Sequence, residues 1–171
     1  VKVCTDNPRE VGADRLANAV AASVLYEGAV IVIDFGTATS FDIINSKHEF
    51  LGGVIAPGIN TQMKCLKNST SKLPKIDVSI SQNAIGHNTT DAILSGVIRG
   101  TACMVEGLVA QCEAELGEKA TIVATGGYCG LIANYLTRPF DCVNPILTLE
   151  GLKHIYKLNT KQTCSEFATT K

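Results

Sequence analysis

Three short stretches of this 171-residue chain combine residue types that do chemistry. The first is Gly12, Ala13, Asp14 and Arg15, at the start of an apolar-periodic segment. A carboxylate there can accept a proton, and the neighbouring guanidinium offers a planar fork to a carboxylate ligand. The same residues also suit a plain helix start, with an acid complementing the macrodipole and a solvated Arg. The four residues alone favour the plain helix start; Asn18, one turn on, shares the face of Asp14 and adds some weight to the chemical reading. The second stretch is DFGTATSFD, where Asp34 ends an apolar run and Gly36, Thr37, Ala38 and Thr39 form a small polar turn. Backbone N–H groups and hydroxyls in such a turn can cradle phosphate, and the acid can hold a cation beside it. An ordinary hairpin with a capping aspartate fits these residues equally well. The third is Ala124–Gly127, ATGG, an apolar run ending in paired glycines that let a nucleotide approach the backbone. It is neither a GxGxxG nor a GK[ST] phosphate loop. The glycines of LGGVIAPG are open to the same two uses, ligand approach or a tight bend.

These stretches need elements to hold them. Asn7-Pro8 followed by LANAVAASVLY predicts a helix with Leu16, Val20 and Val24 as its buried stripe, stopped at Gly28. AVIVID reads as a buried strand, SFDII as its hairpin partner, and Glu49–Gly58 as a third strand with a helix after Pro57-Gly58. Residues 68–88 read as irregular. A long helix is predicted from Thr89 or Thr90 to Leu116, capped by Gly117, and ATIVATGG as a strand leading into the helix CGLIANYL. A short strand near Asp141–Val143 and a last helix, LTLEGLKHIYKL, complete residues 1–158, leaving a polar, frayed tail over 159–171. Hairpins mixed with βα units in this order imply an α/β fold, a mixed sheet with packed helices. Opening directly on a helix suggests the second half of a larger protein.

Composition narrows the function classes. Apolar residues make up 46% and charged residues 18%, with 15 basic against 16 acidic side chains and a net charge of −1. That balance gives no electrostatic basis for a nucleic-acid or anionic-membrane partner. No apolar run approaches the roughly 20 residues of a bilayer span, so a soluble, cytoplasmic protein is expected. The seven cysteines are scattered without a CxxC pair, and the three histidines lack ligand spacing. Idle thiols, rather than a disulfide framework or metal site, follow.

The blocks EVGADRLANAVAA, VIDFGTATSFDII, LGGVIAPGI, IGHNTTDAILSGVIRG, ATGG and LTLEGL stand in the order found in type III pantothenate kinases, and the chain resembles that family up to about Asn159. The resemblance implies ribonuclease-H-like lobes of the actin/hexokinase/acetate-kinase superfamily. It implies ATP-dependent phosphorylation of pantothenate, the first step of coenzyme A biosynthesis, by a homodimer with pantothenate bound near the subunit interface. Carried over by position, Gly12, Ala13, Asp14 and Arg15 form the pantothenate motif, with Asp14 as general base and Arg15 on the substrate. Thr89 contacts pantothenate, Gly36 and Thr37 contact ATP, and Asp34 holds a monovalent cation (K⁺ or NH₄⁺); Mg²⁺ accompanies ATP. Ser40 and His87 depart mildly from the family pattern. The family's amino-terminal lobe, with its DxGNT-type phosphate loop, has no counterpart in these residues, so the chain is expected to be an inactive fragment on its own. The alternative is a non-catalytic regulatory or binding relative that keeps the fold and dimer surface.

Overall fold

The computed structural model describes residues 1–69 and 76–168. Its elements are β1 (Lys2–Val3), a 3₁₀ turn (Pro8–Glu10), α1 (Ala13–Leu25), β2 (Ala29–Phe35), β3 (Ala38–Ile44), β4 (Glu49–Pro57), α2 (Ile59–Ser69), α3 (Thr89–Leu94), a π-helical stretch (Ser95–Arg99), α4 (Gly100–Leu116), β5 (Ala120–Gly126), α5 (Cys129–Ala133), β6 (Cys142–Val143) and α6 (Leu147–Ala168). They build one six-stranded sheet in the order β1-β4-β3-β2-β5-β6. The meander β2-β3-β4 is antiparallel, while β5 runs parallel to β2 and β6 parallel to β5. This is an α/β fold, a mixed sheet with packed helices, with β1 added along the β4 edge.

The central strand β2 is apolar on both faces because both are covered. Ile31, Ile33 and Phe35 face the π-helical stretch and α4 through Val97, Ile98, Ala102 and Val105. Val30 and Val32 face α1 through Ala19, Ala21 and Ala22. Successive strand residues point to opposite faces, so Asp34 and Asp42 lie on the α1 face with Val32 and Ile44.

The buried side of α1 differs from the expected stripe. Ala17, Asn18, Ala19, Ala21 and Ala22 are buried, whereas Val24 is 54% exposed and Leu16 and Val20 are only half-covered. The reason is packing distance. α1 lies between the sheet and α6, and a Cβ at Gly151 of α6 would overlap the Ala17 carbonyl. Two backbones that close accept only small side chains between them. The turn out of α1 also starts early: Tyr26 caps the helix through its N–H to the Ala22 carbonyl, and Gly28, at φ +74°, follows in the link.

Other boundaries shift for local reasons. α5 ends at Ala133, short of the predicted CGLIANYL, with Asn134 returning its amide to the Gly130 and Leu131 carbonyls. α6 runs through Asn159 to Ala168, so residues 159–168 are helical rather than a frayed tail, and 169–171 lie outside the described residues. Part of the irregular stretch, 70–75, also lies outside them. Residues 76–88 have no regular element, yet Arg99 donates to Ser81 Oγ and to the Ser81 and Gln82 carbonyls while stacking on Tyr135. The continuous helix Thr89–Leu116 corrects the reading that no segment matches a bilayer span, since its length and composition do. One side of it supplies core residues on the sheet, which is the part of a buried core helix.

The α1–α6 crossing yields a test. Replacing a helical glycine by alanine ordinarily stabilises by about 1 kcal/mol. Gly107→Ala, on an exposed face of α4 with open space around it, is expected to do so in urea unfolding. Gly151→Ala is expected instead to destabilise by about 2 kcal/mol, the penalty of overpacking; a gain at both positions would contradict the close crossing.

Candidate functional site

The first turn of α1 stands over the ends of β2 and β3. Asp14 is exposed there, and its Oδ1 accepts the Arg15 backbone N–H at 2.9 Å. Gly12 precedes it without a side chain, and a Cβ at that position would crowd Asp14 Oδ1. Arg15 turns inward. Its Nε donates to Asp42 Oδ1 at 2.6 Å, its Nη2 to the Phe41 carbonyl at 3.3 Å, and its guanidinium lies over the Phe50 ring at 5.4 Å.

Asp34 is the other acid of this face. β2 and β5 run in parallel register with Phe35 opposite Gly126. Gly126, at φ +88°, has no Cβ where one would press on Asp34 Oδ1 and the Phe35 backbone. The ATGG stretch is therefore glycine here because the Asp34 carboxylate occupies that space. Burial pushes Asp34 above the ordinary carboxylate range, the charge of Asp14 adds to the rise, and a hydrogen bond from Asn18 opposes it. Asn18 is itself buried and accepts a hydrogen bond from Thr148 of α6 at 2.8 Å, which leaves its amide turned to the acids.

The β2–β3 turn closes the site on its outer side. Gly36 and Thr37 are exposed. The Thr37 carbonyl accepts from the Gly58 N–H at 3.1 Å and from Thr61 Oγ1 at 2.8 Å, which seats the start of α2 under the turn. A Cβ at Gly58 would overlap the Gly36 and Thr37 carbonyls, and one at Gly53 would overlap the Phe41 carbonyl and meet Arg15 Nη2. Two of the three glycines of the LGGVIAPG stretch, Gly53 and Gly58, thus serve close backbone approach within the site.

Thr89 does not join this cluster. It is exposed at the start of α3, on the opposite face of the sheet, where it lines a cleft of about 880 Å³ with Thr61, Gln62 and His87. The structure brings Gly12, Ala13, Asp14, Arg15, Asp34, Gly36 and Thr37 to one end of the sheet and puts Thr89 in a neighbouring cleft that meets the β2–β3 turn through Thr61. No group of three or more His, Cys, Asp or Glu side chains suited to a metal occurs among the described residues. Asp34 offers a single half-buried carboxylate near the end of β2.

Asp42 was not among the residues that the spacing pointed to. Its signal was present: an acid between Phe41 and Ile43 on a covered strand has to find a cation. Burial pushes Asp42 up to about 6, against the opposing charge and hydrogen bond of Arg15. Glu113 shows the reverse balance at the far edge of the sheet. Burial raises it, but hydrogen bonds from Arg138, Lys119 and the Ala120 N–H outweigh that and bring it to about 2.

These shifts predict opposite pH limbs in stability. The Asp42 pKa is higher folded than unfolded, so the folded chain holds the extra proton, and stability falls as pH rises from about 4 to about 6, by on the order of 3 kcal/mol or less. Asp34 tilts the same limb. Glu113 is depressed, so its contribution is full above about 4.5 and is lost as pH falls towards 2. Urea unfolding across pH 2.5–7 is expected to show the upper limb flattened in Asp42→Asn and the acid limb flattened in Glu113→Gln.

A family model described as type III pantothenate kinase matches residues 1–111. A type III pantothenate kinase of Dehalococcoides mccartyi strain CBDB1 is 55% identical over 159 residues, covering 93% of this chain and 60% of that protein. One of Moorella thermoacetica is 48% identical over 155 residues, covering 91% and 61%. The chain thus spans about 60% of the length of the curated relatives it matches. A solved structure described as a Baf family transcriptional activator from Campylobacter jejuni superposes with a TM-score of 0.67 at 27% identity, covering 93% of this chain and 69% of that one. With the matched residues running from β1 into α4 and including Asp14 and Asp34, the chain belongs to the type III pantothenate kinase family.

Proposed function

We propose that this chain carries the acceptor-activating half of a pantothenate kinase, which transfers the γ-phosphoryl group of ATP to the primary hydroxyl of pantothenate and so opens coenzyme A biosynthesis. The observation that carries the reading is the convergence of Asp14 and Asp34 beside two glycine turns, Gly36–Thr37 and Gly126–Gly127, at one end of the sheet. Phosphoryl transfer asks chiefly for positioning, a proton acceptor and neutralised charge. Asp14, exposed at the start of α1, is the base for the pantothenate hydroxyl, with Gly12 and Ala13 leaving the substrate room beside it. Gly36 and Thr37 face the ATP phosphates.

A monovalent cation, K⁺ or NH₄⁺, fits at Asp34, where it would relieve both the burial and the repulsion that raise this carboxyl. When bound, it supplies positive charge next to the phosphates; Mg²⁺ arrives with ATP. Thr89 reaches pantothenate in a homodimer whose substrate sits near the subunit boundary, since within one chain the sheet separates it from Asp14. Nucleic acid and membrane are not partners in this reading, and the enzyme works in the cytoplasm. The second reading, a non-catalytic regulator, draws on the likeness to the Campylobacter jejuni protein.

The test is ATP-dependent phosphorylation of pantothenate with K⁺ or NH₄⁺ present, on this chain alone and on the chain joined to the amino-terminal lobe of a curated relative. Activity is expected in the joined protein, lowered about 10²–10⁴-fold by Asp14→Asn and dependent on the monovalent cation. Absence of activity in both would favour the regulator.

A further inference from the structure

Asp42 is fully buried, and its Oδ2 has no hydrogen-bond partner. The Asn18 amide faces it but makes no bond that satisfies this oxygen. A carboxylate held in this way is a poor source of stability, because desolvation offsets most of what the ion pair returns. Its one short contact is Arg15 Nε.

We propose that Asp42 is a positioning residue: by gripping Arg15 it sets the first turn of α1 and, through it, the place of Asp14. The inference rests on the reading of Asp14 as the proton acceptor. Arg15 has three anchors on the sheet, Asp42 and the Phe41 carbonyl on β3 and the Phe50 ring on β4. Gly53 leaves the space through which the guanidinium passes. The same residue's backbone N–H holds the Asp14 carboxylate at 2.9 Å. A shift of the guanidinium therefore moves the helix start and the base together. Two of the five Arg15 N–H donors, on Nε and Nη2, are spent on the chain itself, which leaves three on Nη1 and Nη2 for a ligand. Positioning to within about half an ångström is what phosphoryl transfer demands of such a base.

The experiment pairs amide hydrogen exchange on this chain with kinetics on the joined protein. Asp42→Asn is expected to speed exchange of the Leu16–Val20 amides at least tenfold and to leave β5 and α4 unchanged. Arg15→Met should do the same, and the double variant should add nothing further. In the kinetics, Asp42→Asn is expected to lower kcat at least tenfold with KM for pantothenate within threefold. Should Asp42→Asn not fold, Arg15→Lys, which keeps the charge and loses the two-nitrogen grip, takes its place in both measurements. Unchanged exchange in α1, acceleration spread equally over α4 and β5, or a raised KM with kcat kept would each overturn the proposal. A joined wild-type protein unable to phosphorylate pantothenate would remove the proposed function, and the exchange data alone would then decide whether Asp42 sets α1.

Discussion

The close seating of α1 on strands β2 and β3 is the constraint on which the site depends. Alanine at 17, 19, 21 and 22 and glycine at 151 bring the helix down between the sheet and α6. At that distance the first turn can place an exposed acid, Asp14, within electrostatic reach of two acids on the strands, Asp34 and Asp42. Larger residues on the inner face would lift α1 and break that proximity before any chemistry was attempted. The apolar residues that α1 and α6 turn outward, Val24, Leu149 and Leu152, follow from the same choice: the small side chains are used where the backbones are closest.

A second constraint works with the first. Three acids near one another on a half-covered face repel, and burial worsens this for Asp34 and Asp42. The chain meets the problem in two ways. Asp42 has an internal cation in Arg15, and Asn18 turns its amide to the acids while Thr148 holds its carbonyl end. Among the described residues, Asp34 has no such cation. The difference sorts the two acids by role, with Asp42 committed to the scaffold and Asp34 open to an ion and phosphates in the proposed reaction.

Much of the sheet was legible in the sequence, because β2, β3, β4 and β5 carry strong apolar runs bounded by glycine turns, and their order implied a mixed sheet. The inner face of α1 was not, since hydrophobic periodicity points to the largest apolar side chains, whereas close helix packing selects the smallest. The cluster of Gly12–Arg15, Asp34 and Gly36–Thr37 was legible from residue types. Its internal wiring was not: Arg15 and Asp42 are 27 positions apart, and only the hairpin register brings them together. The glycines at 53, 58 and 126 were legible as sites of close approach, but what approaches them is the chain's own carbonyls and side chains. Thr89 could not be separated from Asp14 by sequence, because which face of the sheet each helix covers is decided only by the crossovers.

In the proposed reaction, acceptor and phosphate donor meet at the α1 end of the sheet and not in the α2–α3 cleft. The most direct measurement is an amide chemical-shift titration of the chain joined to an amino-terminal lobe, with pantothenate and a non-hydrolysable ATP analogue. Perturbations are expected at Gly12–Arg15 with pantothenate and at Gly36, Thr37, Gly126 and Gly127 with the nucleotide. Shifts confined to Pro57–Gln62 and His87–Val97, with the α1 end silent, would contradict it.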